Sequence, residues 1–322
     1  MVNFDASGVI VLNKPEGITS HGAVQRVKRT LGARKCGHAG TLDPFATGVL
    51  LVMVNEATRL APYLTELDKR YQATIKLGSQ TDTLDRTGRV VCESAVPSLT
   101  VDQIEAAAEE LVGLQLQTPP SFSAKKVNGV RLYKLARRGK SRKVSPKQVE
   151  IYSIDVISWS EEEKLLTIRV HCSKGTYVRV LARDLANRLG TCGHLYRLIR
   201  LACGQFEIDD AISLSRIGEL KSEGRLGEVL IPPSEALPAL KGIRVSRRGV
   251  LRLLDGRHLE KKDLVKPPPG VEDEAIYKAL DENDNLVAIV KAVVGDTRFG
   301  QVVAFKPVRV FVRAAESSLS EK

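Results

Sequence analysis

Apolar positions recur along this chain with two periods, and the places where one period gives way to the other mark its elements. Gly8 to Asn13 reads as a buried strand, which Lys14-Pro15-Glu16-Gly17 breaks. Ser20 is placed to cap a helix that brings Val24, Val27 and Leu31 to one face, and Gly32 supplies its stop. A glycine-rich loop from Cys36 to Gly48 then leads into a strand over Val49 to Asn55. Tyr71 to Leu77 predicts a strand with a polar continuation through Asp85, and Arg86-Thr87-Gly88-Arg89 predicts a turn into Val90 and Val91. Thr100 and Gln103 have capping-box spacing ahead of an alanine-rich helix that ends near Gly113. Strands over Val149 to Trp159 and Leu165 to His171 are joined by the charged turn Glu161 to Lys164, the pattern of a hairpin. Thr176 is positioned to cap the next helix, with Leu181, Leu185 and Leu189 on its buried face, Arg179 in its first turn and Gly190 at its end.

Around Ile231-Pro232-Pro233 to Pro238 the composition shifts, which places a domain boundary between there and Gly242. Short strands over Ala275 to Leu280, Leu286 to Val294, Val302 to Phe305 and Val308 to Val312 then predict a small all-β unit. The tail from Ala314 to Lys322 has nothing to pack and is expected to be disordered.

Of the 322 residues, 43% are hydrophobic and 27% charged, enough to bury a real core and to form two domains. The longest apolar run, Val49 to Val54, is far too short to span a bilayer, and Met1 to Gly17 lacks the regions of a signal peptide. A cytoplasmic location is therefore expected. The five cysteines are scattered and odd in number, which fits reduced thiols better than a disulfide framework. A net charge of +11 attracts polyanions and makes nucleic acid the favoured partner. That charge is also concentrated. From Leu111 to Val149 there is no acidic residue, while ten cations, Lys125, Lys126, Arg137 and Arg138 among them, crowd around Phe122 and Tyr133. A solvated hairpin is the alternative, but ten cations without a carboxylate point to phosphate contacts.

The strongest local feature is Gly37-His38-Ala39-Gly40-Thr41-Leu42-Asp43-Pro44-Phe45-Ala46-Thr47-Gly48-Val49-Leu50. Three glycines, a proline and a lone carboxylate ahead of a buried strand make a rigid platform that displays Asp43. An arbitrary Asp-Pro loop would more often be a surface turn in which the aspartate caps backbone amides. This stretch, however, resembles the defining motif of the TruB family of pseudouridine synthases, whose invariant aspartate falls on Asp43. Further stretches match in the family's order: Asn13-Lys14-Pro15, Gly17-Ile18-Thr19-Ser20, Lys69-Arg70-Tyr71, Thr81-Asp82-Thr83 with Asp85 and Gly88, Pro119 to Lys125, and Gly175-Thr176-Tyr177-Val178-Arg179. The similarity runs from about Gly8 to Phe206, with a weaker echo in Lys306 to Phe311.

The resemblance implies an α+β fold with a mixed, largely antiparallel central sheet over residues 1–241, carrying an RNA-gripping insertion at about 120–148. It also implies a small β-barrel over 242–313 that resembles the PUA RNA-binding module, with 314–322 as the tail. The implied reaction isomerises the T-loop uridine at position 55 of tRNA, by a monomer that needs no cofactor. Asp43 then corresponds to the catalytic carboxylate and Arg179 to the arginine that pairs with it, which should hold the carboxyl below its ordinary pKa range. Tyr71 corresponds to the tyrosine that stacks on the target base, His38 to a histidine near the extruded nucleotide, and Leu198 to an apolar residue lining the uracil pocket. Lys14 and Tyr177, within matched motifs, join Lys125, Lys126, Arg137 and Arg138 as substrate-binding candidates. The family often has two consecutive arginines after that leucine, whereas here Ile199 precedes Arg200.

Three other readings compete. A guide-RNA-dependent H/ACA-type synthase shares much of the pattern, although Phe45-Ala46-Thr47 fits the stand-alone bacterial type better. A non-catalytic RNA-binding or RNA-folding protein would have no need of Asp43, Tyr71 and Arg179 together. Cys36-Gly37-His38 and Cys192-Gly193-His194 could in principle assemble a zinc site, but the close-spaced Cys-x-x-Cys arrangement is absent and no metal is expected.

Overall fold

The computed structural model describes residues 4–120, 126–127, 130–131, 145–266, 268–297 and 300–311. In chain order, β1 (Gly8–Lys14) leads through α1 (Ser20–Leu31) to β2 (Cys36–Ala39), β3 (Thr47–Val54) and α2 (Ala61–Glu66). Then come β4 (Lys69–Leu77), the hairpin of β5 (Ser79–Thr81) and β6 (Val90–Glu93), α3 (Val101–Glu109) and β7 (Gly113–Gln117). The two-residue strands β8 (Lys126–Val127) and β9 (Val130–Arg131) pair with each other. After them follow β10 (Lys147–Ser160), β11 (Leu165–Cys172), α4 (Val178–Arg188), β12 (Gly193–Cys203), β13 (Phe206–Glu207) and α5 (Leu214–Ser222). The last part holds β14 (Lys241–Arg244), α6 (Arg247–Leu254), β15 (Ile276–Leu280), β16 (Leu286–Thr297) and β17 (Gly300–Val310).

Nine strands form the central sheet, in the order β1-β3-β12-β4-β11-β10-β7, with β2 against β3 and β13 against β12. The sheet is mixed and largely antiparallel, as expected: β12 runs parallel to β3 at Ile199–Thr47 and Arg200–Gly48, and the other pairings are antiparallel. Strands β1 and β3 read as unbroken apolar runs because both their faces are covered. Ile10, Leu12, Leu50 and Val52 meet Val24, Val27 and Leu31 of α1 and Ile217 and Leu220 of α5. Val9, Val11, Leu51 and Met53 face the other way, towards Leu60 and Leu64. A separate cluster lies where Leu181 and Leu185 of α4 and Ile104 and Ala108 of α3 cover β4, β10 and β11, and it takes in Leu42, Phe45, Tyr71 and Leu198.

Two predicted caps fall elsewhere. Thr19 caps α1, accepting the Gly22 N–H at 2.9 Å, because the Ser20 hydroxyl is committed to Leu42, donating to its carbonyl at 3.0 Å and accepting its N–H at 2.8 Å. Helix α4 has Tyr177 at its N-cap position and no side-chain cap. The Thr176 hydroxyl turns back to the Ser173 carbonyl at 2.9 Å, and the Gln117 side chain accepts the Tyr177 N–H at 2.8 Å. The predicted loop from Cys36 begins as strand β2, paired with β3. The capping box of α3 is formed as read.

The C-terminal part departs from the expected barrel. Its four strands, β14-β15-β16-β17, make an open sheet, and no closed barrel is present among the described residues. The stretch that would have to close it folds as α6 and turns, attached through single bridges at Val245–Leu264 and Leu259–Phe305. The two last predicted strands are one: β17 passes through Pro307, opposite Val290, where the register shifts. Such a position at the sheet edge tolerates a residue without an N–H. Leu286, Ile289 and Phe311 belong to the same apolar cluster as Val9, Val11, Leu60 and Leu64, so the core crosses the predicted boundary. The Lys278 ammonium donates to the Ser234 carbonyl at 2.9 Å across the same seam, and Arg59 donates to the Val310 carbonyl. The predicted tail 314–322 lies outside the described residues.

Candidate active site

Asp43 sits on the short loop between β2 and β3, and that loop is held from several sides. Ser20 grips Leu42 as described, and the Gly17 N–H donates to the Pro44 carbonyl at 2.8 Å. Lys14, fully buried at the end of β1, donates to the carbonyls of Pro15 at 2.8 Å, Ile18 at 3.0 Å and Pro44 at 3.3 Å. Three N–H donors thus meet three carbonyls, which accounts for a buried ammonium. Gly48 closes the loop with φ +100, and a Cβ there would stand 2.3 Å from the Arg200 carbonyl oxygen. Only glycine allows β12 to come that close.

Facing the loop is Arg179, in the first turn of α4, with every guanidinium nitrogen engaged. Its Nε lies 3.0 Å from Asp43 Oδ2 and its Nη2 donates to Oδ1 at 3.3 Å, a forked pair. The remaining nitrogen, Nη1, donates at 3.1 Å both to Asp85 Oδ2 and to the Thr83 carbonyl. Asp85 is itself fixed by its turn: Oδ1 accepts from Thr83 Oγ1 at 2.8 Å, from the Thr87 N–H at 2.9 Å and from Thr87 Oγ1 at 2.6 Å. Arg86 ties this turn back to the loop, its guanidinium 5.9 Å from the Phe45 ring centroid. Arg179 and Asp85 have buried side chains, whereas that of Asp43 is 33% exposed, so of the two carboxylates Asp43 is the one a substrate can reach.

The electrostatics differ from the sequence expectation in one respect. Burial pushes the Asp43 carboxyl above its ordinary range, opposed by Arg179; Asp85 raises it further and Lys14 lowers it. The ion pair is present as predicted, yet one arginine shared between two carboxylates does not offset the loss of water. Burial lowers the Lys14 ammonium to about 8, against the opposing pull of Asp43 and Glu16. Burial also drives the Tyr71 phenol up to about 12, with the charge and hydrogen bonding of Arg200 acting the other way.

The structure brings Asp43, Arg179, Lys14, Tyr71 and Leu198 into one region. Tyr71 on β4 and Leu198 on β12 are buried in the cluster that contains Leu42 and Phe45, at either side of Asp43 in the loop. Tyr177 is half-buried at the start of α4, fastened through its backbone to Gln117. His38 is half-buried on β2, opposite Val52. Phe122, Lys125, Tyr133, Arg137 and Arg138 lie outside the described residues, and of Lys126 only its place in β8 is described. Sequence reasoning gave no role to Asp85 or Arg200. For Asp85 a signal was available: hydroxyls at 81, 83 and 87 around one carboxylate, followed by Gly88. The two Cys-x-His pairs do not converge, and among the described residues no three His, Cys, Asp or Glu side chains group as metal ligands. A cavity of about 430 Å³ lined by Lys76, Ser79, Glu163, Leu165, His194 and Tyr196 contains none of these site residues. No helix among the described residues is long and apolar enough to cross a membrane.

Comparison with known proteins adds to this geometry. The profile of the TruB family pseudouridylate synthase N-terminal domain matches residues 28–178. The tRNA pseudouridine synthase B of Geobacter sulfurreducens is 46% identical over 249 residues, spanning 77% of this chain and 81% of that protein. Its namesake in Solibacter usitatus is 39% identical over 286 residues, spanning 89% and 96%. Among solved structures, a chain in the crystal structure of a Cbf5-Nop10-Gar1 complex aligns with a TM-score of 0.72 at 26% identity, covering 95% of this chain and 85% of that one. A shared fold, a matching N-terminal profile and relatives this similar along most of their length place the protein: it belongs to the TruB family of pseudouridylate synthases, which are isomerases.

Proposed function

We propose that this protein isomerises the T-loop uridine of tRNA to pseudouridine, with Asp43 as its catalytic carboxylate. The observation that carries this reading is the forked Asp43–Arg179 pair, partly open to solvent and bordered by the cluster that holds Tyr71 and Leu198. The substrate class is that printed in the names of the relatives, tRNA pseudouridine synthase B.

The reaction breaks the bond from C1′ to N1 of uracil, turns the base and joins C1′ to C5. The C5 proton leaves and N1 gains one, so nothing is oxidised and no group is lost. Asp43 acts at the sugar, by attack at C1′ or removal of the 2′ proton, and either role needs the ionised carboxylate. Arg179 favours that form and fixes the direction of its oxygens. Tyr71, a neutral phenol at physiological pH, offers its ring to the base, and Leu198 lines the pocket. Extruding the nucleotide from the T loop costs a few kcal/mol. Phosphate contacts from Lys125, Lys126, Arg137 and Arg138 supply part of this, and His38 fills space near the vacated stack. All these residues come from one chain, so a monomer suffices.

Incubating the protein alone with an unmodified tRNA transcript and mapping pseudouridine by chemical labelling tests the reading. One modified uridine, in the T loop, is expected. Modification that appears only after a guide RNA is added would move the assignment to the guide-dependent class, and no modification with tight tRNA binding would leave an RNA-binding protein. Asp43→Asn should abolish turnover while leaving tRNA affinity within a few-fold, since most affinity comes from phosphates.

A further inference from the structure

Resting on the proposed reaction, we infer that Arg200 is a positioning residue: a buried strut that fixes the Tyr71 strand and the Asp43 loop relative to each other. Its side chain is 1% exposed, among the largest fully buried side chains of the protein. It donates to backbone oxygens, from Nε to the Val49 carbonyl at 2.6 Å and from Nη2 to the Gly40 carbonyl at 3.1 Å. Burying a guanidinium is far costlier than burying a leucine, so an arginine that merely filled space would be a poor choice. What it supplies is direction, since its planar fork reaches two carbonyls at once.

Those carbonyls lie on either side of Asp43, Gly40 before it and Val49 after it. The same residue stands directly opposite Tyr71 in the β4–β12 ladder and opposite Gly48 in the lone parallel pairing with β3. Leu198, two residues earlier on the strand, shares its buried side. The loop is shaped around this residue: a Cβ at Gly40 would come within 3.3 Å of Arg200 Nη1, and one at Gly48 would collide with the Arg200 backbone. Arg200 also acts on the phenol itself, favouring its ionised form by charge and hydrogen bonding. Arg200 thus holds both flanks of the Asp43 loop through its side chain and lies beside Tyr71 through its strand.

The test is a double-mutant cycle on the full-length protein with tRNA, in the four combinations of Arg200→Gln and Tyr71→Phe. Single-turnover rate, tRNA Kd and melting temperature are measured for each. Arg200→Gln should lower the rate about 100-fold, the cost of misplacing reacting groups by about an ångström, with Kd changed less than about three-fold. In the Tyr71→Phe background the same substitution should cost markedly less, because part of its effect passes through the phenol. Arg200→Lys should recover a fraction of the rate, since an ammonium keeps the charge but not the fork. Equal losses in both backgrounds, a rate loss that follows Kd, or a folded Arg200→Lys with full activity would each overturn the inference. Should both Arg200 variants fail to fold, the arginine serves the stability of the whole core rather than the placement of the site, and the inference also fails. If the parent protein forms no pseudouridine, the proposed function falls first, which keeps the two failures apart.

Discussion

Among single residues, Lys14 makes the most direct link between burial and activity. Burial lowers its pKa from 10.5 to about 8, while Asp43 and Glu16 pull the other way. Protonated, it satisfies three carbonyls and faces Asp43 with a positive charge; neutral, it has two donors and no charge. Activity should therefore fall as pH rises through about 8. The stability effect has the opposite sign. A base with a depressed folded pKa contributes stability in full above 10.5 and loses it as pH falls through about 8, because the unfolded chain binds the proton more tightly. Single-turnover rates across pH should show an alkaline limb near 8 in the parent that is absent from Lys14→Met, whatever the overall loss in that variant. A limb that persists in Lys14→Met would assign it to another group. Asp43, Tyr71 and Arg179 were legible in the sequence because each stands in a motif whose neighbours are local. Asp85 and Arg200 carried no role there because the resemblance assigned them none, whereas it paired Asp43 with Arg179 across 136 residues, and their own partners are remote: Asp85 meets Arg179 at a separation of 94 residues, and Arg200 meets Gly40 at 160. Nothing local says that those segments touch.

The element that does most to aim Arg179 is the turn from Thr81 to Gly88. Its hydroxyls and the Thr87 N–H saturate one oxygen of Asp85, which leaves the other for the guanidinium. A Cβ on Gly88 would stand 2.4 Å from both Asp82 Oδ1 and Thr83 Oγ1, so the turn is built for glycine there. Asp85→Asn keeps the shape and removes the charge. We expect it to lower the rate about 10- to 100-fold through a loosened Arg179. It should also shift the acid limb of the pH profile down, because Asp85 is one of the groups that raise the Asp43 carboxyl. A lower rate with an unmoved acid limb would mean that Asp85 does not act on Asp43 through charge. Arg179→Lys should likewise cost rate more than affinity, since a lysine lacks the planar fork that pairs with Asp43 through two nitrogens while a third reaches Asp85. The pattern of apolar positions revealed β1, β3, β4, β10, β11 and β15 to β17 and the helices α1, α3 and α4, but not the central strand β12, helix α5 or the exact helix starts. Ser20 and Thr176 look like caps until their hydroxyls are claimed by Leu42 and Ser173. Helix α6 went unread because arginines occupy Arg247, Arg248 and Arg252, so that Gly249 and Leu253 carry its buried face.

Across the whole molecule, the division at the proline-rich stretch near Pro232 and Pro238 governs how the two parts depend on each other. Composition suggested a separable C-terminal module that adds basic surface for tRNA. The packing argues for a shared core: Leu286, Ile289 and Phe311 complete the cluster that covers Val9, Val11, Leu51 and Met53 on one face of β1 and β3. A sequence window cannot show this, because the apolar run in β1 would look the same whichever residues cover its second face. Truncation after Lys241 should accordingly strip one face of the strand pair from which the Asp43 loop is hung. Losing the partners of several buried aliphatic side chains costs on the order of 2–5 kcal/mol, as a single large core truncation does. Against a total stability of about 5–15 kcal/mol that is a large share, and in a domain of this size it lowers Tm by roughly 5–15 °C. The truncated protein should melt earlier, bind an apolar dye that the full-length protein does not, and show a lowered kcat as well as a raised KM, on an isolated T-arm hairpin as much as on full tRNA. Ile289→Asp in the intact chain should reproduce the early melting and the loss of kcat while keeping the basic residues of α6, which separates loss of the seam from loss of tRNA contacts. A truncated protein that melts within about 2 °C of the parent, with kcat unchanged and only KM raised on full tRNA, would show that the two parts fold and work as independent modules despite the cluster they share.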